Sequence, residues 1–117
     1  MQAISRAQLY NKMLQNDSMT VVEVLSPESY KEFHLPGAVN VPMNESFEDH
    51  IQQMVSNKGE EVVVYCQNSE CTASPEAAEK MNQLGYQHVY DYEAGKDDWG
   101  AAGLPLERSV SHEMAPQ

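Results

Sequence analysis

The sequence predicts an α/β domain with a mostly parallel central sheet and helices on both faces of that sheet. Strand-like and helix-like segments alternate along the chain, which is the order that parallel sheets require. Residues 61–65 are mostly apolar and β-branched without alternation, as in a central strand covered on both faces. The 117 residues suit one domain with one hydrophobic core. We expect that domain over residues 1–107 and a disordered tail over residues 108–117.

Local signals begin or end most of the predicted elements. Ser5 is placed to cap a first helix, and Gly85 is placed to end a helix that begins near Ser74. In Ser26-Pro27-Glu28, a capping serine precedes a proline at the first helical position and an acid in the first turn. The predicted strands span residues 19–25, 38–41, 61–65 and 88–92, and the predicted helices span residues 5–14, 26–34, 44 or 46 to 55, 74–84 and 96–102.

Charge and cysteine content narrow the classes of function. Seven Lys and Arg residues against eighteen Asp and Glu residues give a net charge of −11. Nucleic acids and anionic membranes are bound through clustered cations, so this composition argues against both as partners. Two cysteines are too few for the disulfide framework of a secreted domain, and they lack the companions of a zinc site. No segment resembles a leader or a membrane span. We expect a cytoplasmic monomer that needs no metal or other cofactor.

Cys66 is the residue that the pattern marks for chemistry. It directly follows the predicted central strand, and eight residues later Ser74 opens a predicted helix. The partial positive charge of a helix N-terminus lowers the pKa of a nearby thiol, and the thiolate is the nucleophilic form. A loop from a strand end to a helix start also turns backbone N–H groups toward such an anion. We therefore predict a nucleophilic Cys66; the alternative is a small buried apolar residue.

Four segments of the chain occur in a characteristic order and spacing. They are Val-Glu-Val-Leu with Pro-Glu-Ser-Tyr at residues 22–30, Phe-His-Leu-Pro-Gly-Ala-Val-Asn-Val-Pro at residues 33–42, the strand that runs into Cys66, and Gly95 and Trp99 followed by Ala-Gly-Leu-Pro at residues 102–105. This pattern, over about residues 4–107, resembles the rhodanese-like sulfurtransferase domain. The resemblance implies an α/β fold whose cysteine, here Cys66, takes a sulfane sulfur from a small donor or a protein persulfide. It also implies that the resulting persulfide passes its sulfur to a thiol or cyanide-like acceptor.

The loop after Cys66 departs from the family pattern. Related loops commonly carry an arginine that can bind a thiosulfate anion, here replaced by Cys71, and Leu25 replaces a second familiar arginine. The predicted active-site loop holds no cation and consists of Gln67, Asn68, Ser69, Glu70, Cys71, Thr72, Ala73 and Ser74. A guanidinium contact to an oxyanion is stronger than a neutral hydrogen bond, so thiosulfate capture should be weak. Backbone amides and Thr72 must hold the anion, or another donor is used.

Cys71 leaves two interpretations open. If the loop folds back, Cys71 can attack a Cys66 persulfide or sulfenic acid and close a disulfide, which makes it a resolving cysteine. Otherwise it fills the loop interior or lies exposed. The protein is then either a sulfurtransferase, or a sulfur-carrier or thiol-redox partner with little thiosulfate activity. A related dual-specificity phosphatase would need an arginine for phosphate, and an inactive binding module is the remaining class.

Several other polar residues could lie near Cys66. His34 is expected to hold backbone rather than act as a base, and Lys96 could help to hold an anion. The acids Glu93, Asp97 and Asp98 could form a rim around the site, although a solvated acidic face is the ordinary explanation.

Overall fold

Five parallel strands form the central sheet of the computed structural model, which describes residues 2–15 and 18–108. In chain order the described elements are β1 (Gln2–Ala3), α1 (Arg6–Gln15), β2 (Thr20–Glu23), α2 (Pro27–Glu32), β3 (Val39–Asn40), α3 (Phe47–Met54), β4 (Glu61–Tyr65), α4 (Ala73–Gln83), β5 (His88–Tyr92) and α5 (Gly95–Ala101). The strand order is β1-β5-β4-β2-β3, and every pair is parallel. The predicted α/β class with a mostly parallel sheet is confirmed.

The structure contains the predicted strands and helices, with small differences in the residues at which they begin and end. β4 and β5 have the predicted bounds, whereas β2 and β3 are shorter than predicted. The sequence missed β1, because two exposed residues that pair with β5 show no pattern of their own. The predicted tail, apart from Arg108, lies outside the described residues. No helix in the described part of the chain is long and apolar enough to cross a membrane.

Side-chain caps explain where two of the helices begin. The Ser5 hydroxyl accepts a hydrogen bond from the Gln8 amide at 3.1 Å, at the start of α1. The Ser26 hydroxyl accepts one from the Ser29 amide at 3.2 Å, and Pro27 follows at the first helical position of α2. Both predicted caps are confirmed.

The two faces of the sheet carry separate hydrophobic cores. Side chains alternate between faces along each strand, so Val62, Val64 and Cys66 lie on one face and Val63 and Tyr65 on the other. The face with Cys66 packs against α3 and α4, and the opposite face packs against α1, α2 and α5. Cys66 therefore lies at the C-terminal end of the central strand, on the side covered by α4.

A buried ion pair links the sheet to two of the helices. Glu23, at the end of β2, contacts the Lys96 ammonium of α5 at 3.0 Å, and both side chains are 0% exposed. The ammonium also donates to the carbonyls of Ser29 at 2.9 Å and Phe33 at 2.8 Å, while the Tyr65 hydroxyl donates to the second Glu23 oxygen at 2.8 Å. Hydrogen bonds of this kind are what allow two buried charges to persist.

The Tyr65 hydroxyl remains a neutral donor in this network. Burial, followed by the charge of Glu23, raises the pKa of Tyr65 above its usual range. The same oxygen accepts a hydrogen bond from the Leu35 amide at 3.1 Å. One hydroxyl thus joins the β2 carboxylate to the segment that follows α2.

We expect Lys96→Met to lower the free energy of unfolding by about 3–5 kcal/mol, because it leaves the Glu23 charge buried without its partner. Urea unfolding monitored by circular dichroism measures the change. Lys80→Met is the matched control, since Lys80 pairs with Glu48 on the surface with side chains 42% and 52% exposed. That control should cost less than about 1 kcal/mol. Adding Glu23→Gln to Lys96→Met should restore part of the loss, and equal effects of Lys96→Met and Lys80→Met would contradict this account.

Candidate active site

Cys66 lies at the start of a short loop that joins β4 to α4. It directly follows Tyr65, the last residue of β4, and is only 1% exposed. Its side chain packs in the core beneath α4 together with Val64. The α4 helix begins at Ala73, one residue before the predicted start. The predicted placement of Cys66, between the end of the central strand and the start of a helix, is confirmed.

Cys71 lies against Cys66, and the structure joins the two residues by a disulfide. Their α-carbons are 6.4 Å apart, within the range of about 4.4–6.8 Å that disulfides usually span. Cys71 is partly exposed and also packs against the core around Cys66. The loop therefore folds back far enough for one thiol to reach the other. This geometry makes the resolving role of Cys71 feasible, and that role stays a prediction.

Asn68 holds the middle of the loop in its turn. Its side-chain oxygen accepts a hydrogen bond from the Glu70 amide at 3.0 Å, and its carbonyl accepts one from the Cys71 amide at 3.1 Å. These two N–H groups are directed to Asn68 and not to the Cys66 sulfur. The expectation that successive loop amides all point inward is therefore wrong for these two positions.

The remaining predicted loop residues differ in exposure. Ser69, Glu70 and Thr72 are exposed, whereas Ser74 is buried in the first turn of α4. The Thr72 carbonyl accepts a hydrogen bond from the Glu76 amide at 3.2 Å, although the Thr72 side chain does not cap the helix. The exposed edge of the loop therefore presents hydroxyl groups and one carboxylate to the solvent.

The N-terminus of α5 holds the other side of the loop. The amides of Lys96 and Asp97 donate to the carbonyls of Cys66 and Gln67, both at 3.0 Å. The Gln67 side-chain amide donates in return to Asp97 at 2.6 Å. Gly95 has a φ of +77°, and a β-carbon there would lie 2.5 Å from the Gln67 carbonyl. Only a glycine leaves the loop room to rest on α5.

The structure corrects the expectation for Lys96. Its ammonium is fully buried with Glu23 and points away from solvent, so it is not a cation for an incoming anion. Asp97 does contact the loop, as expected for a rim residue. Asp98 instead pairs with Arg6 at 2.9 Å and accepts from the Tyr92 hydroxyl at 2.7 Å. These contacts hold α5 in place.

His34 has the structural role expected of it. It is 4% exposed, and its Nδ1 lies 2.8 Å from the Tyr30 carbonyl. The Tyr30 ring stacks on the imidazole with 3.8 Å between centroids. The backbone of His34 pairs with that of Glu107, which closes the end of the described chain onto the domain.

Asp91 is the residue near the site that sequence reasoning missed. It lies in β5, is 1% exposed, and neither of its carboxylate oxygens completes a hydrogen bond with any described residue. Burial raises the pKa of Asp91, the Ser74 hydroxyl nearby opposes that rise, and the Glu93 charge adds to it. One signal in the sequence could have identified it. Asp91 is an acid within the strand His-Val-Tyr-Asp-Tyr, at a position on the same face as the apolar Val89.

We expect Gly95→Ala to lower the free energy of unfolding by about 2–4 kcal/mol, because it adds a clash with the Gln67 backbone to the strain of a positive φ. Gly37→Ala is the matched control, since Gly37 has a φ of +75° with nothing within 4 Å of the added carbon. The control should lose only the backbone contribution of about 1–2 kcal/mol. Urea unfolding of both variants measures the difference. Equal losses would show that the contact between Gly95 and the loop is loose.

Comparison with known proteins agrees with this geometry. The family model of the Rhodanese-like domain matches residues 5–102. The chain is 30% identical to the HTH-type transcriptional regulator Rv0324 of Mycobacterium tuberculosis, over 92% of this chain and 46% of that protein. It is 34% identical to the thiosulfate sulfurtransferase PspE of Escherichia coli, over 65% of this chain and 70% of that protein.

A solved structure shows the same fold at higher coverage. The BH2092 protein of Bacillus halodurans superposes with a TM-score of 0.83 at 27% sequence identity, over 93% of this chain and 78% of that one. The chain spans less than half of the regulator's length, so that match concerns one part of a longer protein. Because the family model covers most of the chain, including the central strand, Cys66 and α5, the protein belongs to the rhodanese-like domain family.

Proposed function

We propose that the protein is a sulfurtransferase that moves a sulfane sulfur through a persulfide on Cys66. The observation that carries the proposal is the position of Cys66 at the end of the central strand, before the N-terminus of α4, in a chain of this family. The similarity to a thiosulfate sulfurtransferase supports the same class of reaction. Sulfane-sulfur donors and thiol or cyanide-like acceptors are the substrates that this chemistry needs.

In the proposed first step, the Cys66 thiolate attacks the outer sulfur of the donor. A new S–S bond forms on Cys66, and the bond inside the donor breaks with its electron pair going to the leaving group. The positive end of α4, an eleven-residue helix, favours the thiolate and the persulfide anion that replaces it. An acceptor then attacks the outer sulfur of the persulfide and regenerates the thiolate.

The loop favours a donor other than free thiosulfate. It carries no cation, its exposed edge includes Glu70, and Lys96 is buried in its own ion pair. A dianion near this edge therefore meets repulsion without a compensating guanidinium contact. We infer that thiosulfate is a poor substrate and that a persulfide donor, small or carried by a protein, is the better one.

A second candidate function uses both cysteines, and the Cys66–Cys71 disulfide is the observation that favours it. Here the Cys71 thiolate attacks the Cys66 sulfur of the persulfide, and the bond to the outer sulfur breaks. The outer sulfur leaves as hydrosulfide, so the persulfide itself supplies the oxidising equivalent for the disulfide. An external dithiol then reduces the disulfide. In this form the protein is a sulfur-carrier or thiol-redox partner.

For the nucleophile, we expect reduced wild-type protein to gain one sulfur atom after incubation with glutathione persulfide. After incubation with thiosulfate, a smaller fraction of the protein should carry the added sulfur. Cys71→Ser should still gain the sulfur on Cys66, whereas Cys66→Ser combined with Cys71→Ser should gain none, because a serine hydroxyl is a poor nucleophile toward sulfur. Intact-mass spectrometry measures the gain, and circular dichroism verifies that each variant folds. Thr72→Ser serves as a control within the same loop and should still gain the sulfur. Failure of folded Cys71→Ser to gain the sulfur, with gain only in Cys66→Ser, would refute the assignment.

For the second cysteine, we expect the wild-type persulfide to decay to a protein with two fewer hydrogens than the dithiol form, while hydrosulfide is released. In Cys71→Ser the Cys66 persulfide should persist about tenfold longer or more, because the intramolecular attack is lost. Mass spectrometry over time and a sulfide assay follow the two species. Equal persulfide lifetimes in both proteins would leave Cys66 as the sole reactive cysteine.

A further inference from the structure

Asp91 is a buried acid that the proposed sulfur transfer does not use. Transfer of an ionised carboxylate into the protein interior is costly, so buried acids are usually hydrogen-bonded or paired. Asp91 is 1% exposed, yet among the described residues neither of its carboxylate oxygens completes a hydrogen bond. The buried Ser74 hydroxyl beside it is also without one. The Ser74 hydroxyl acts on the Asp91 carboxyl, so the two buried groups are polar neighbours that are engaged with no other described side chain.

The sheet places Asp91 beside Cys66. The parallel register pairs Asp91 of β5 with Val64 of β4, two residues before Cys66. Val64 and Cys66 share the face beneath α4, and Asp91 shares that face with Val89. From the strand spacing and the rise of two residues, the α-carbons of Asp91 and Cys66 are about 8 Å apart, a diagonal across neighbouring strands. Side chains on one face can meet across such a diagonal.

The α4 helix places Ser74 near Asp91 and close in the chain to the other cysteine. Ser74 is three residues after Cys71, in the first turn of α4, and is 1% exposed. Its hydroxyl lies close enough to the Asp91 carboxyl to affect the pKa of that group. Ser74 thus follows one cysteine by three residues and acts on the acid that the sheet register places diagonally from the other cysteine.

The surroundings leave this carboxyl able to exchange a proton. Its register partner on β4 is Val64, the Ser74 hydroxyl of α4 acts on it, and β1 contacts it through backbone pairing. The Glu93 carboxylate, just after β5, is the charged group that acts on it. Burial and this like charge both raise the pKa of Asp91 above its ordinary value, which makes its carboxylate a better proton acceptor than that of an exposed aspartate.

We infer that Asp91 accepts the proton of the attacking thiol when the Cys66–Cys71 disulfide closes, with the Ser74 hydroxyl as the relay. This role rests on the proposed dithiol chemistry. The thiol proton passes to the Ser74 oxygen while the Ser74 hydroxyl proton passes to the Asp91 carboxylate. The thiolate then attacks the neighbouring sulfur, and the leaving sulfur departs with the electron pair of the broken bond. During sulfur transfer, the hydrosulfide that leaves takes up this proton.

Closure can be measured without any sulfurtransferase activity. Reduced protein reacts with one equivalent of 4,4′-dithiodipyridine in two steps: a mixed disulfide forms on one cysteine and releases one thiopyridone, and the other cysteine then attacks that disulfide and releases a second. We expect this second release to be about tenfold slower at pH 6 in Asp91→Asn than in the wild type. This factor is smaller than the rate acceleration that a general base usually gives. The two rates should converge near pH 9, where solvent hydroxide removes the proton.

Controls separate a proton acceptor from a change in charge or packing. Loss of a negative charge near a thiol makes the thiolate easier to form, so a pure charge effect would speed closure. Glu70→Gln, which removes a charge within the loop, should therefore leave closure unchanged or slightly faster. Ser74→Ala interrupts the relay and should slow closure at pH 6 with the same pH dependence as Asp91→Asn. Circular dichroism and thermal unfolding verify that each variant is folded.

The outcomes distinguish this inference from the proposed function. If wild-type closure occurs and Asp91→Asn and Ser74→Ala both match its rate within twofold from pH 6 to pH 9, the proton-acceptor role of Asp91 is overturned. If the wild type releases no second thiopyridone, the dithiol chemistry itself fails, and the inference fails with it. If closure proceeds as expected but no persulfide ever forms on Cys66, the sulfurtransferase proposal fails while the role of Asp91 stands.

Discussion

The buried ion pair between Glu23 and Lys96 is the interaction on which the geometry around Cys66 depends. It fixes the side chain of Lys96 at the end of β2, and the backbone amide of the same lysine donates to the Cys66 carbonyl. The adjacent Gly95 lets the loop rest on α5 at backbone distance. One residue thus joins the polar network inside the domain to the loop that carries both cysteines. An interior charge here serves the positioning of a reactive group.

The same arrangement leaves the loop after Cys66 without a basic side chain. With Lys96 engaged in the interior, the exposed edge of the loop presents hydroxyls and a carboxylate. The second sulfur, at Cys71, lies in the same loop and is bonded to Cys66. These groups fit the proposed reactions between sulfur atoms better than they fit the capture of an anionic donor. The acidic composition of the chain, with a net charge of −11, also acts against such a donor.

The sequence predicted the fold class, the bounds of β4 and β5, the caps at Ser5 and Ser26, and the position of Cys66, because each has a local signal. It could not predict the ion pair of Glu23 with Lys96, since the two residues are far apart in the chain and meet only through the sheet. Asp91 was missed for the same reason: only the register of β5 against β4 places it beside Cys66. Whether Cys71 could reach Cys66 depended on a turn that Asn68 forms with its own neighbours.

The unequal burial of the two bonded sulfurs determines which of them an external reductant attacks first. Cys66 is 1% exposed and Cys71 is partly exposed, so an external thiol meets the sulfur of Cys71 first. Attack there leaves the reductant attached to Cys71 and releases Cys66 as the leaving thiolate. The buried cysteine is thus set free at the beginning of reduction, while its neighbour is still blocked. Under the proposed function, a domain regenerated in this order accepts new sulfur on Cys66 while Cys71 is still blocked and unable to remove it.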